Sequence, residues 1–560
     1  MLTACYTKPM IKKIALLLVW IGVAFSPALS WSPAQAAASG QTEDGWEVLT
    51  PGVDYREFTL PGPVRAYVVR MAIKDDPDDP VDITLESAIG RGYLGGLETV
   101  RGMAARYDDA IDYWGSEWGN RSDILVAVNG SYFGGSDTPE NGMVQSGWYA
   151  KRFDNLNGGS GLVWTLTRQV FIDDCVTHRP EKQILHIDGD ATAGFSITGI
   201  NTSRSDNDLI VYTPQFGART PDQTNGVEVV VKMTRPLLIL PYSTGNSTSA
   251  VIGKVTEIRE AAGSTLIHFD ELVLSAGENQ REALLSHLNI GSTVLFNQEI
   301  TSLSRDCGTP VDLPWTKAYT SLGAAFHLLE DGKIYTPAQD TTRAPRTALA
   351  YDPNYIYLIV VDGRQPDISV GMTFQELAGF IRDTLGAQDG VAQDGGGSST
   401  MVVNGQVVNR PSDICYTVFL PLVSSSGTNS IPNPTQTIPL EEKFEPNTRL
   451  QAGCERRVAN AILIARVLPR EYSKTSFTGS DLVFTTTATA LRTGPGTNYP
   501  GFAAIPAGNY GILLDDPEFD GIRAKGTYWW KISILGKIGW IDEKAIATLA
   551  PRFSFWPFQH

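Results

Sequence analysis

Histidine is scarce in this 560-residue chain: there are six, and none stands at HExxH or paired-ligand spacing, so the sequence offers no zinc-site pattern. Basic residues are outnumbered, 45 Lys and Arg against 61 Asp and Glu, for a formal charge of −16. That balance argues against nucleic acid as a partner, because phosphate contacts need clustered cations. Cysteine is also sparse, with five in all. No repeat of fixed period is present, which excludes a solenoid. After the first 36 residues no apolar run reads as a membrane span.

What is present is enough apolar sequence, 42%, for sizeable cores. Length alone suggests two to four domains. The start resembles a targeting segment: Lys12 and Lys13, the apolar run "IALLLVWIGVAF", then "PAQAAASG". Ala34-Gln35-Ala36 suits cleavage after Ala36, and the alternative is an uncleaved anchor. Cleavage would remove three lysines and no acid, so the mature chain would be more acidic still and carry no transmembrane segment. The expected location is secreted or associated with the cell envelope. The "LTAC" at Leu2–Cys5 has no apolar segment before it and is read as chance. Four cysteines would remain, Cys175, Cys307, Cys415 and Cys454, permitting two disulfides in an oxidising compartment. Cys415 with Cys454 is the favoured pair, stapling the loop-rich segment between them; buried free thiols are the alternative.

Along the chain, 37–119 reads as a β-rich region, with "VRAYVVRMAI" and "VDITLESAIG" alternating as strands do. A β-rich insertion is expected over about 227–303. Residues 417–450 are Pro-, Ser-, Thr- and Asn-rich and read as a surface loop. "RTALAYD" and "YIYLIVVDGR" suit central strands, and "TFQELAGFIRDTLG" predicts an amphipathic helix. Thr373 and Glu376 predict its capping box and Gly386 its stop. A linker at 471–483 leads to a small unit at 484–550. The fold class expected is an α+β catalytic domain over 120–470 with a mixed sheet and packed helices, followed by a small all-β barrel.

The most informative stretch is "QDGGGSSTMVVNG", from Gln393 to Gly405. A flexible linker would be longer, and here a strand and an Asn-Gly turn follow at once. Gly395, Gly396 and Gly397 allow close approach of backbone N–H groups to an anion, and Ser398, Ser399 and Thr400 add hydroxyls. It is no nucleotide P-loop, since no Lys follows and the next element is a strand. Asp394 is a candidate acid or base, or else a turn former. Three more polar turns end apolar strands. Asp362 and Arg364 follow "YIYLIVV"; Arg346 opens "RTALA"; Asn129, Ser131, Tyr132 and Phe133 close "DILVAVNGSYF". Arginine suits phosphate or carboxylate, and the plainer reading of both arginines is a surface ion pair. Asn129 and Tyr132 could line a sugar site or simply form a packed turn.

Taken together, "VNGSYF", "NGVEVVV", "RTALAYD", "VVDGRQPDISVGMTFQELAGFIRDTLGA", "DGGGSSTMVVNGQVVNRPSD" and "RRVANAILI" resemble the phosphodiester glycosidase family over roughly 120–470. That family includes the catalytic domain of the uncovering enzyme, which removes N-acetylglucosamine from a phosphodiester-linked mannose. The chain departs from the family pattern at Ala392 and Gln393 before the Asp, and at Ser131 and Tyr132. The resemblance implies hydrolysis of a sugar-1-phosphodiester. Arg346, Arg364 and N–H groups near Gly395–Gly397 would hold the phosphate. Asp362 and Asp394 would act as acid/base or stabilise an oxocarbenium-like transition state, and Asn129, Tyr132, Ser398 and Thr400 would position substrate. The scheme needs no cofactor and no metal. The acidic run "KDDPDDP" at 74–80 could hold a structural calcium, and a solvated loop is the plainer reading.

"LRTGPGTNYP", "IPAG" and "GWI" resemble a bacterial SH3-like domain over about 484–550, which implies binding to a cell-wall polymer. Tyr499, Tyr528, Trp529, Trp530 and Trp540 are its candidate sugar-stacking residues, some of them core. The competing function is a non-catalytic glycan- or sugar-phosphate-binding protein of the envelope. A third is a phosphodiesterase cutting the other side of phosphorus.

Overall fold

The structure is a computed structural model. It describes residues 44–549 apart from 75–81, 115–116, 154–160, 174, 179–182, 235–249, 297–299, 305, 325, 336–339, 416–450, 473 and 517–519. The leader-like segment, most of the acidic run at 74–80 and the 417–450 loop therefore lie outside the described residues.

The α+β expectation is not met. Among the described residues there are three α-helices, Val100–Tyr107, Glu278–Leu285 and Phe374–Asp383, against 39 strands. The sheets are antiparallel, and the one parallel pairing described joins Gly199–Ile200 to Leu209–Tyr212. The physical reason is connectivity. Consecutive strands such as Arg346–Tyr351 and Tyr355–Val361 are joined by a tight turn at Asp352–Asn354, and antiparallel pairs, near or distant in sequence, need no helical crossover.

Two sheets form the frame of the candidate site. One has eight strands, in the order Glu47–Thr50, Val53–Leu60, Val64–Ala72, Tyr355–Val361, Arg346–Tyr351, Asp389–Ala392, Phe326–Glu330 and Lys333–Ile334. The other has six and contains Ile83–Ile89, Asn460–Leu468, Glu117–Asn129 and Met401–Val403. The region before residue 119 thus supplies strands to both sheets. Alternation builds the layers. Leu349, Leu358, Val360 and Val391 face Leu85, Val128, Ile462 and Met401 across a shared core. The intervening Ala348, Ala350, Ile359 and Ala392 point the other way, against Leu377, Phe380 and Ile381 of helix Phe374–Asp383. Small alanines recur on the far side of the six-stranded sheet too, where Ala88, Ala127 and Ala461 admit Val100, Met103 and Ala104 of helix Val100–Tyr107.

The helix Phe374–Asp383 carries the capping box its sequence predicts. Glu376 N–H donates to Thr373 Oγ1 at 3.1 Å and Thr373 N–H to Glu376 Oε2 at 2.9 Å. Gly386 follows with φ +77, a conformation that favours glycine.

A further eight-stranded sheet has its strands between Ile184–Ile187 and Thr293–Phe296. The disulfide Cys175–Cys307 lies at its base, beside the paired strands Cys175–His178 and Ile300–Leu303. Strands from Leu482–Thr485 to Ile546–Thr548 form the last sheet.

Candidate functional site

The turn at 393–400 is buried almost throughout, which removes the linker reading. Each glycine has a steric reason. Gly396 has φ +63, and a Cβ there would stand 3.1 Å from both Nη atoms of Arg364. A Cβ on Gly395 would meet Pro345 O at 2.8 Å, and one on Gly397 would overlap Asp413 Oδ1 and Arg456 Nη2 at 2.0 and 2.3 Å. The loop is thus clasped by two guanidinium groups. Its N–H groups are not all free: Gly396 N–H donates to Pro345 O at 2.9 Å, and Ser398 and Ser399 close the local turn. Beyond it, Met401–Val403 and Gln406–Val407 form the expected hairpin, with Asn404 and Gly405 at φ +47 and +75.

The two predicted arginines differ. Arg346 is 8% exposed and heavily engaged. Its Nε donates to Met372 O, its Nη2 to Thr342 O and Asp340, and its plane lies 3.6 Å from the Phe374 ring centroid. Burial holds its pKa down, opposed by Asp340 and Tyr132 and helped by Arg364. Arg364 is exposed, stands at φ +59 and makes no hydrogen bond or ion pair among the described residues. It is a cation laid over the Gly396 backbone with its charge uncompensated.

Asp394 sits at the mouth of the loop, 9% exposed, its N–H bonded to Gly130 O at 3.0 Å. Burial pushes its carboxyl up, while the Ser398 hydroxyl and the Arg456 guanidinium pull it back. The half-buried Tyr132 phenol is raised first by its burial and then by Asp394, with Arg346 opposing and Glu140 adding. These electrostatic neighbours bring Arg364, Arg346, Tyr132, Asp394 and Arg456 into one cluster. Thr400 Oγ1 is buried without a hydrogen-bond partner, and so are both amide atoms of Gln393.

Asp362 and Asn129 hold the frame. Asp362 is 1% exposed, and its carboxylate accepts Asn409 Nδ2 at 2.9 Å and Arg410 N–H at 3.0 Å. Burial raises its pKa and these bonds lower it. Asn409 in turn donates to Ser399 O and accepts Met401 N–H, tying Asp362 to the glycine turn. Asn129 donates to Asp394 O at 2.7 Å and accepts from Thr347 Oγ1 and Thr400 N–H, so its amide joins the two sheets.

Arg456, Asp413, Asn409 and Asn460 complete the cluster and are not among the candidates the sequence suggests. Arg456 Nε and Nη2 each donate to Asp413 at 2.9 Å, and Asn460 bonds Ser131 through both ends of its amide. Their signal is "NRPSD" and "RRVAN", polar clusters at strand ends of the same kind as "VVDGR" and "VNGSYF".

Cys454 is disulfide-bonded, and its strand Gln451–Cys454 pairs with Asp413–Cys415; the Cys415 side chain lies outside the described residues. In the C-terminal sheet Trp529, Trp530 and Trp540 are buried, so they are core and docking residues and do not stack on sugars at a surface. Trp529, Trp540 and the partly buried Tyr499 pack with Trp118 and Phe269 from earlier in the chain. Among the described residues no group of three His, Cys, Asp or Glu is arranged to hold a metal ion, and no helix is long and apolar enough to cross a membrane.

No curated protein matches the sequence. Among solved structures, a hypothetical protein from Synechocystis is similar with a TM-score of 0.42 and 17% identity, over 74% of this chain and 62% of that one. This chain thus spans less than two thirds of that protein. A candidate exported protein from Burkholderia pseudomallei K96243 gives 0.40 and 18%, over 73% and 74%. The zebrafish N-acetylglucosamine-1-phosphodiester alpha-N-acetylglucosaminidase catalytic domain, auto-inhibited by its pro-peptide, gives 0.30 and 13%, over 76% and 86%. The model of the phosphodiester glycosidase family matches residues 246–417, the stretch that carries Arg346, Asp362, Arg364 and the turn from Asp394 to Thr400.

Proposed function

We propose that the chain hydrolyses the glycosidic bond of a sugar-1-phosphodiester at the glycine turn. The observation that carries this reading is Arg364, an unpaired guanidinium over the Gly396 backbone in the same cluster as Asp394. An uncompensated cation beside tightly turned backbone suits a phosphate oxygen. The family match over the same residues supports the choice of chemistry.

The roles follow from the bonding. Arg364, over the Gly396 backbone, grips the phosphate. Arg346, fixed by Met372, Thr342 and Asp340, adds charge without moving. Asp394, its carboxyl raised by burial, takes a proton from the attacking water or stabilises charge at the anomeric carbon. A phosphate leaving group needs little protonation, so one carboxylate suffices. Asp362 acts through Asn409 as a positioning residue. Tyr132 and Thr400 face substrate, Thr400 with a buried hydroxyl still unbonded.

Export is part of the proposal. It rests on the leader-like segment and on the Cys175–Cys307 bridge, since disulfides persist in oxidising compartments. Retention on a wall polymer is assigned to the outward face of the C-terminal sheet, where Leu482, Tyr510 and Ile512 are exposed.

The test is incubation of the chain lacking residues 1–36 with a panel of sugar-1-phosphodiesters, followed by mass spectrometry. Free sugar plus phosphomonoester is expected, and Arg364→Ala should raise KM more than it lowers kcat. Sugar phosphate plus alcohol would make it a phosphodiesterase. Binding without turnover across the panel would make it a recognition protein.

A further inference from the structure

A cavity lies away from the glycine turn, where the six-stranded sheet, the β-rich insertion and the C-terminal unit meet. Its volume is about 120 Å³, room for several waters or one small ring. Tyr107, Trp118, Trp148, Phe269 and Tyr499 supply aromatic walls. Glu86 and Asp112 also line it, 4% and 9% exposed.

The polar groups are unequally satisfied. Glu86 accepts from Ser87 N–H, Ser146 N–H, Ser146 Oγ and Thr320 Oγ1. Asp112 accepts one bond at each oxygen, from Tyr113 N–H at 2.7 Å and Tyr319 Oη at 3.0 Å, and so keeps lone pairs to spare. Trp118 is 7% exposed and its indole N–H has no partner. Asn498 Oδ1, at the outer end, is also without one. A buried donor and a buried acceptor left unbonded are costly unless something fills the space between them.

These needs select a ligand class. A phosphate is disfavoured, because two carboxylates line the cavity and the one guanidinium there, Arg106, is held by Glu98 through two bonds of 2.8 and 2.9 Å. A bare organic cation would leave the Trp118 N–H without an acceptor. A hydroxylated ring answers every group: its oxygens accept from Trp118, its hydroxyls donate to Asp112 and Asn498, and its C–H faces lie on the aromatic walls. We infer that this cavity binds one neutral sugar ring, at a place separate from the glycine turn.

The experiment is titration of the full chain with D-glucose and N-acetylglucosamine, followed by tryptophan fluorescence, with glucose 1-phosphate and choline chloride as comparison probes. Saturable binding of a neutral sugar is expected. Trp118→Phe, which keeps the ring and removes the N–H, should weaken it about 3- to 10-fold, as loss of one hydrogen bond does. Asn498→Ala at the outer end gives a second reading should Trp118→Phe fold poorly. Arg364→Ala should leave the sugar affinity unchanged, so failure of the phosphodiester reading and failure of this one are separable. Absence of saturable sugar binding, equal affinity in both cavity variants, or binding of choline alone would overturn the inference.

Discussion

At the scale of single residues, the glycine turn shows how sterics and charge combine. Gly397 is needed because Arg456 and Asp413 lie where its side chain would be. Gly397→Ala should destabilise the fold by about 1–3 kcal/mol, as overpacking does, and lower turnover by displacing Arg456; thermal unfolding and a kinetic assay on the same preparation check both. Asp394→Asn keeps the shape and removes the charge. If Asp394 is the base, kcat should fall about 10²- to 10⁴-fold with the melting temperature kept, and intact turnover would end that assignment. Asp394 was legible in the sequence as an acid beside glycines. What distinguishes it from Asp362 was not legible. Both follow a strand, but only Asp362 has its carboxylate engaged by Asn409 and Arg410, residues brought in from more than forty positions away.

At the scale of elements, local rules were the more reliable guide. The box at Thr373 and Glu376, the stop at Gly386 and the Asn404-Gly405 turn are set by contacts within a few residues, and all three are present. Thr373→Ala should cost about 1 kcal/mol of stability, read by chemical denaturation. Sheet partnership was another matter. "VRAYVVRMAI" reads as a strand, yet nothing local says that Val64–Ala72 pairs with Tyr355–Val361. The expectation of a mixed sheet with packed helices failed at this step. Apolar runs such as "YIYLIVV" suit a central strand in either kind of sheet, and chain direction is decided by distant partners.

For the whole molecule, the C-terminal unit is docked. Lys525 N–H and Gly526 N–H bond Asp109, Phe269 N–H bonds Thr493 O at 3.0 Å, and Trp118, Phe269 and Trp540 pack edge to face. Beneath this junction, burial raises Glu86 to about 7, with Asp112 adding, and burial raises Asp112 to about 6. Raised carboxylates favour the folded state when protonated. Their contribution is complete below the unfolded values near 4, and it is lost as pH rises through about 6 to 7. The melting temperature should therefore fall between pH 5 and pH 8 by more in the wild type than in Glu86→Gln; equal slopes would show that the pair does not titrate there.

The sequence by itself determined what short-range sterics and hydrogen bonding control: the alternating strands, the capped helix, the tight turn of glycines and the acid that precedes it. Tertiary structure alone decided which arginine stays unpaired, which carboxylate is tied into the frame, and that Trp529, Trp530 and Trp540 are buried. Those outcomes depend on groups tens to hundreds of positions apart meeting in one desolvated space, where burial and long-range partners outweigh anything a residue's neighbours specify.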